Sequence, residues 1–313
     1  LTGAPGTGKT YWAKKTVHEL IARQLYKNSY ENLTDKEKET IKNSEQLKTV
    51  VMHSNYGYEE FVEGLRPETI NNQLVFKIKD GVFKEFALKA KKDPDKNYYL
   101  ILDEINRADL TKIFGELIYS IENSKRGEYI NLSVSNKEFT IPKNLYIIGT
   151  MNNADKSVSL IDLALRRRFG FIELKPNYDI LDCVIADNIV IDAIDTEDED
   201  ALLSEIEEVT EIHIGDWLQT VNQRIVHVLG AEGNDLQIGH SYFLSNEEVI
   251  TEPGQFVDVL KYEIIPLLNE YTYHNQHQLK EIIGDRMYDS SNQLRFNLIS
   301  EEEFGTLIEA LLE

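Results

Sequence analysis

Three observations predict an α/β fold, with a parallel sheet between helices and a mainly helical domain behind it. Gly3-Ala4-Pro5-Gly6-Thr7-Gly8-Lys9-Thr10 fits the phosphate-loop pattern G-x-x-x-x-G-K-[ST] and runs straight into a helical stretch. Residues 98–102 form an apolar run that ends in Asp103-Glu104, which suits a strand buried on both faces. Strand and helix signals alternate up to Lys175, and strand signals fade after Pro176.

The elements follow in order from spacing and turn chemistry. Residues 10–26 have helical periodicity, with Trp12, Val17, Leu20, Ile21 and Leu25 apolar. Residues 27–46 are polar and charged and read as a helical or loop insertion. Residues 47–53 form a short buried-strand candidate. Residues 56–80 are mixed, and 74–78 alternate like a hairpin strand. Residues 81–92 and 110–121 read as helices, the second amphipathic. Residues 129–134 and 139–141 flank Ser135-Asn136-Lys137 and read as a hairpin. A further buried strand is expected at 145–150, a helix at 157–165 and a last strand at 169–174. Helical patterns then occupy 206–229, 256–271 and 304–312. The expected division is a nucleotide-binding domain over 1–175 and an acidic linker with a helical lid over 176–313.

Composition narrows the function classes. Lys and Arg number 33 against 54 Asp and Glu, so the net charge is −21. Fourteen of the carboxylates lie between Pro176 and Gln223, where no Lys or Arg occurs. The acidity is therefore mainly a property of one segment. It argues against strong duplex binding by a lone chain, because duplex affinity comes from neutralised phosphates, and against an anionic membrane surface. A ring of subunits can still gather Lys and Arg around a channel. One cysteine, Cys183, excludes an internal disulfide and is expected as a small buried hydrophobe. No apolar run is long enough for a membrane span, so a cytoplasmic protein is expected. The sequence opens at Leu1 inside the phosphate-loop motif, so the first strand and an upstream segment are expected before it.

The chemistry concentrates at strand ends. The glycines of the phosphate loop, Gly3, Gly6 and Gly8, let the backbone turn so that successive N–H groups face phosphate oxygens, and Pro5 and Thr7 lie in the same nucleotide-binding loop. Lys9 supplies a point charge for β- and γ-phosphates, and the Thr10 hydroxyl can ligate Mg²⁺. Asp103 would hold the same Mg²⁺ through water, and Glu104 would orient and deprotonate an attacking water. Alone, Asp103-Glu104 also reads as a solvated strand end; beside a phosphate loop it reads as a catalytic pair. Asn152, in Gly149-Thr150-Met151-Asn152-Asn153-Ala154-Asp155, either touches the γ-phosphate and lytic water or is plain turn chemistry. Arg166-Arg167-Arg168 is either a helix end favoured by the dipole or a set of fingers reaching a neighbouring subunit's nucleotide.

Several segments together resemble the McrB family of AAA+ proteins, the GTP-hydrolysing motors of modification-dependent restriction systems. They are Asp103-Glu104-Ile105-Asn106-Arg107-Ala108, Gly149 through Ser157, Leu165-Arg166-Arg167-Arg168-Phe169, His53 through Pro67, Ile238-Gly239-His240-Ser241-Tyr242-Phe243 and Ile265 through Tyr271. The resemblance covers most of the chain in order and is weakest over 27–46 and 177–211. It implies an AAA+ P-loop fold with a helical lid. It places Asn152 in the sensor-1 position and Arg167 and Arg168 as residues acting across a subunit boundary. Asn153 stands in place of the family's usual Thr, and Lys156 where Arg is common, which weakens any trans contact by that residue. The hairpin over 129–141 resembles the pre-sensor-1 hairpin, and 56–80 the helix-2 insertion. The resemblance further implies a homo-oligomeric ring, a hexamer, with an McrC-like nuclease subunit and DNA engaged through the assembly. The cofactors expected are Mg²⁺ and GTP or ATP, since the family prefers GTP and most AAA+ proteins use ATP.

A second reading is an ATPase of the MoxR or dynein-related kind that remodels a protein partner. A third, a switch GTPase, lacks the N/TKxD guanine-recognition motif and leaves the arginine triplet unexplained. Zinc binding has little support, because His274 and His277 are the only close histidine pair.

Overall fold

A computed structural model describes residues 1–70, 72–155, 163–186 and 211–312. The expected helix over 157–165 and most of the acidic segment lie wholly or partly outside these residues. The chain divides into two compact units. One comprises Leu1–Gly3 with Lys9–Leu174, and the other Ala4–Gly8 with Lys175–Glu313.

In the first unit the order is β1 (Thr2–Gly3), α1 (Lys9–Tyr26), α2 (Asp35–Lys42), β2 (Leu47–Val51), α3 (Tyr58–Phe61), β3 (Glu63–Ile70), β4 (Gln73–Asp80), α4 (Val82–Lys92) and β5 (Tyr98–Asp103). There follow α5 (Leu110–Phe114), α6 (Ile118–Ile121), β6 (Ile130–Asn131), β7 (Glu138–Phe139), β8 (Leu145–Gly149), β9 (Met151–Asn152) and α7 (Leu163–Arg166). Strand β5 is central, parallel to β2 on one side and β8 on the other. Its residues alternate between two cores. Tyr99 and Ile101 face Ala13, Val17 and Ile21 of α1 and Ile41 of α2. Tyr98, Leu100 and Leu102 face Phe83, Phe86 and Ala87 of α4 with Ile113 and Phe114 of α5. A parallel strand covered by helices on both faces gives this unbroken apolar run.

The expected elements that lie within the described residues form, with informative differences. The buried stripe of α1 is Ala13, Val17, Ile21 and Ala22, while Trp12, Leu20 and Leu25 are exposed. Spacing of four residues, not size, selects the core face. The insertion over 27–46 contains α2, started by a capping box in which Thr34 and Glu37 satisfy each other's backbone N–H. The strand expected buried over 47–53 is an edge strand, Leu47–Val51, in which only Val50 is buried; Met52, just past its end, is buried too. Strand β8 likewise buries only its ends, Leu145 and Gly149. The helix expected over 110–121 breaks at Gly115, which takes φ +50° against the ring of Tyr58. The hairpin strand expected at 74–78 is β4, and β3 pairs with it in an eight-residue antiparallel ladder. The hairpin over 129–141 shrinks to two pairs between β6 and β7. The last expected strand, 169–174, shrinks to one bridge between Glu173 and Thr2, because β1 presents only that residue to it.

Strand β1 runs parallel to β9, pairing Thr2 with Met151 and Gly3 with Asn152. The Leu1 amine donates to Gly149 O at 2.6 Å.

The second unit is mainly helical, as expected, with helices Ile214–Leu229, Pro253–Val259, Ile265–Tyr271, Gln276–Ile283 and Phe304–Leu311. The helix read over 256–271 contains a π-turn at Leu260–Ile264, just ahead of Pro266, whose missing N–H breaks the regular ladder. Trp217, Phe243, Phe256 and Phe304 pack edge-on or stacked at its centre. Two short antiparallel pairs, Val184–Ala186 with Glu211–His213 and Leu244–Ser245 with Glu248–Val249, were not anticipated. Cys183 is half-buried, not buried, its thiol 3.6 Å from Ile250 O. No helix among the described residues is long and apolar enough to cross a membrane.

Candidate nucleotide site

The register of the parallel sheet decides which side chains meet. Leu102 pairs with Gly149, so the residues after each, Asp103 and Thr150, leave neighbouring strands at one carboxyl edge, where open α/β sheets bind ligands. Helix α1 begins at Lys9 with no acidic residue in its first turn. No carboxylate of the first turn therefore offsets its N-terminal dipole, which favours an anion.

Asp103 is the junction. Its Oδ1 accepts from the Thr10 hydroxyl at 2.7 Å and also from the Thr150 hydroxyl. The Thr150 oxygen in turn accepts from the Glu104 N–H at 3.1 Å. Hard oxygens from a hydroxyl and a carboxylate in contact are the donor chemistry Mg²⁺ takes, usually with waters completing the shell. Thr10 and Asp103 therefore fit that ion.

Glu104 stands in the left-handed region, φ 55° and ψ 49°. For a residue with a Cβ this costs about 1–3 kcal/mol and gathers at functional sites. Its carboxylate pairs with the Arg107 guanidinium, and Arg107 also reaches Asp155 Oδ2 at 3.6 Å. Asn106 donates to Asn152 O at 3.0 Å, and Asn152 Oδ1 accepts from Ala154 N at 3.2 Å. The pairing of β1 with β9 sets Asn152 beside Gly3. Gly3 O accepts from Lys9 Nζ at 3.0 Å and from Asn153 N at 3.3 Å. Burial pushes the Lys9 ammonium down to about 8, against the opposing pull of Asp103 and Glu104.

The first unit thus brings Lys9, Thr10, Asp103, Glu104 and Asn152 to one sheet edge. Arg167 is exposed, and Arg168 is half-buried along a cavity with Leu1, Tyr146, Ile148 and Phe171. Loop residues Ala4–Gly8 belong to the second unit. There Gly6 and Gly8 take φ +73° and +76°, and the Thr7 hydroxyl donates to Ala4 O at 2.9 Å. His240 is buried and its Nδ1 accepts from Asn177 N at 3.0 Å, a structural role; burial lowers its pKa, which keeps that nitrogen an acceptor. Thr150, Asn106 and Arg107 were not singled out from sequence, although all three lie in runs that carry the resemblance.

With this geometry in place, comparison with known proteins is decisive. The model of the AAA domain, dynein-related subfamily, matches residues 1–169. The chain belongs to that AAA family. The alpha-helical lid domain of McrB matches residues 213–280 of the same AAA chain. The chain is 33% identical over 297 residues to the type IV methyl-directed restriction enzyme EcoKMcrB subunit of Escherichia coli K12, covering 91% of this chain and 57% of that protein. It is 28% identical over 205 residues to the type II restriction enzyme BsuMI component YdiS of Bacillus subtilis 168, covering 54% of each. The AAA chain therefore spans about half the length of the curated relatives it matches. It is a McrB-like AAA+ protein with a parallel α/β sheet and a helical lid.

Proposed function

We propose that this chain is the Mg²⁺-dependent nucleoside triphosphatase motor of a DNA restriction system, acting as a homo-hexameric ring with an McrC-like nuclease subunit. The observation that carries the triphosphatase reading is the convergence of the Thr10 and Thr150 hydroxyls on Asp103, with Glu104 the next residue. Two names of similar proteins, both restriction-enzyme components, support the restriction reading.

In this reading the loop Gly3, Pro5, Gly6, Thr7 and Gly8 cradles phosphates, and Lys9 neutralises the β- and γ-oxygens. Thr10 and Asp103 would hold Mg²⁺, which when bound would supply neutralising charge to the phosphates. Glu104 orients a water and takes its proton, and Asn152 holds that water or the γ-phosphate in line. Arg167 and Arg168 complete the site of the neighbouring subunit, where a guanidinium stabilises charge on the transferring phosphoryl. GTP is preferred over ATP.

The dynein-related AAA match is compatible with a protein-remodelling ATPase, but the McrB lid match favours the restriction motor. Side-by-side GTP and ATP turnover by the full-length protein, with and without its nuclease partner and DNA, tests the proposal. Faster GTP turnover and partner-dependent DNA cleavage are expected. Exclusive ATP use without cleavage would favour remodelling.

A further inference from the structure

The phosphate loop is gripped by one segment of the lid. Within the second unit, Gly239 N donates to Pro5 O and Ser241 N donates to Gly6 O, each at 2.9 Å. All peptide bonds among the described residues are trans, so the C=O and N–H of one peptide unit point opposite ways. Fixing the Pro5 and Gly6 carbonyls toward the lid therefore turns the N–H groups of Gly6 and Thr7 away from it. Two successive amides so aligned, with Gly6 at φ +73°, form the concave donor pair that anions occupy.

The grip has no slack. A Cβ on Gly239 would stand 1.9 Å from Gly6 C, 2.1 Å from Gly6 O and 2.4 Å from Thr7 N. These are backbone atoms, so no side chain can swing aside. The gripping segment is itself held. Asn222, buried on helix Ile214–Leu229, donates to Ile238 O at 2.9 Å and accepts from Ile238 N at 2.6 Å. His240 is anchored by Asn177.

We infer that Gly239 and Ser241 are positioning residues that set the phosphate cradle, so that the lid helix carrying Asn222 controls phosphate affinity through the loop backbone. This rests on the triphosphatase reading. Linkage follows: if the gripped loop is the form that binds phosphate, phosphate must in turn stabilise the grip.

The test uses the full-length protein with Mg²⁺ and either GTP or inorganic triphosphate as probe. Gly239→Ala should weaken both by about tenfold or more, because the lost preorganisation concerns phosphate alone, with the far-UV spectrum retained. In the unmutated protein, hydrogen exchange at the Gly239 and Ser241 amides should slow on saturation with either probe; this arm stands even if the variant fails to fold. Lys9→Ala is the control. Unchanged affinity in Gly239→Ala, with binding lost in Lys9→Ala, overturns this inference and leaves the triphosphatase reading intact. Unchanged exchange at both amides overturns it as well. No binding by the unmutated protein overturns both readings.

Discussion

Thr10 donates its hydroxyl to Asp103 Oδ1 at 2.7 Å across 93 positions of sequence, and Thr150 donates to the same oxygen. The Thr150 hydroxyl also receives the Glu104 amide. One side chain thus orients both acidic residues without being expected to touch the nucleotide. Thr150→Val keeps the shape and removes the hydroxyl. Turnover should fall about 10- to 100-fold, the usual loss for an outer partner of a metal site, with a raised Mg²⁺ requirement. Steady-state rates over a Mg²⁺ titration check this, and an unchanged Mg²⁺ dependence would contradict it.

Lys9 gives a pH signature. Its pKa is pushed down to about 8, so in the free protein it loses its charge as pH rises past that value. Phosphate binding needs the ammonium, so affinity should fall about tenfold at pH 9 relative to neutral pH. Between about 8 and 10.5 the unfolded chain holds a proton that the folded chain has lost. Stability of the nucleotide-free protein should therefore rise with pH in that window. Binding titrations and denaturant melts at stepped pH measure both effects.

A buried charge cluster away from the sheet edge predicts a stability effect. Lys84 Nζ lies 2.6 Å from both Glu63 and Asp80, and the Glu63 side chain is fully buried. Glu63 also accepts from Ser135 N at 2.7 Å, tying the base of the β3–β4 hairpin to the turn between β6 and β7. Burial opposes ionisation of Glu63, but Lys84 and Ser135 hold it below the usual carboxylate range. Its stabilising effect is present above the ordinary glutamate pKa and lost as pH falls through the lowered value. Lys84→Met leaves Glu63 unpaired and should cost about 3–5 kcal/mol in a urea melt at neutral pH. Wild-type stability in that variant would contradict the assignment.

Arg167 and Arg168 are proposed to act on the neighbouring subunit. Replacing both with Ala should lower turnover about 10³-fold. Mixing that variant with Glu104→Gln should restore activity, because one subunit's glutamate then meets the other's arginines. Rates measured over a mixing series decide it; no recovery would place the arginines in their own subunit's site.

Legibility from sequence followed the range of the interactions. The phosphate loop and Asp103-Glu104 are local, because loop geometry and strand ends are set by adjacent residues. The central strand was legible because both faces of residues 98–102 are apolar. The role of Thr150 was not, since it depends on Leu102 pairing with Gly149, a register set by the whole sheet. The Lys84–Glu63 pair was hidden because it joins helix α4 to strand β3, a tertiary contact that no local pattern shows. Helix α1 was legible as a helix, but which residues it buries was not: helical position buries Ala13 and Ala22 and leaves Trp12, Leu20 and Leu25 exposed. The break at Gly115 lies against the ring of Tyr58, a residue no helical window includes.

The central claim is that Glu104 activates water for triphosphate hydrolysis at the edge formed by Asp103 and Thr150. It is tested most directly by turnover and binding of triphosphate in Glu104→Gln beside the unmutated full-length protein. The account predicts binding within about twofold and turnover lower by about 10²- to 10⁴-fold, the contribution of a positioned general base. Turnover at the unmutated rate in Glu104→Gln would contradict it.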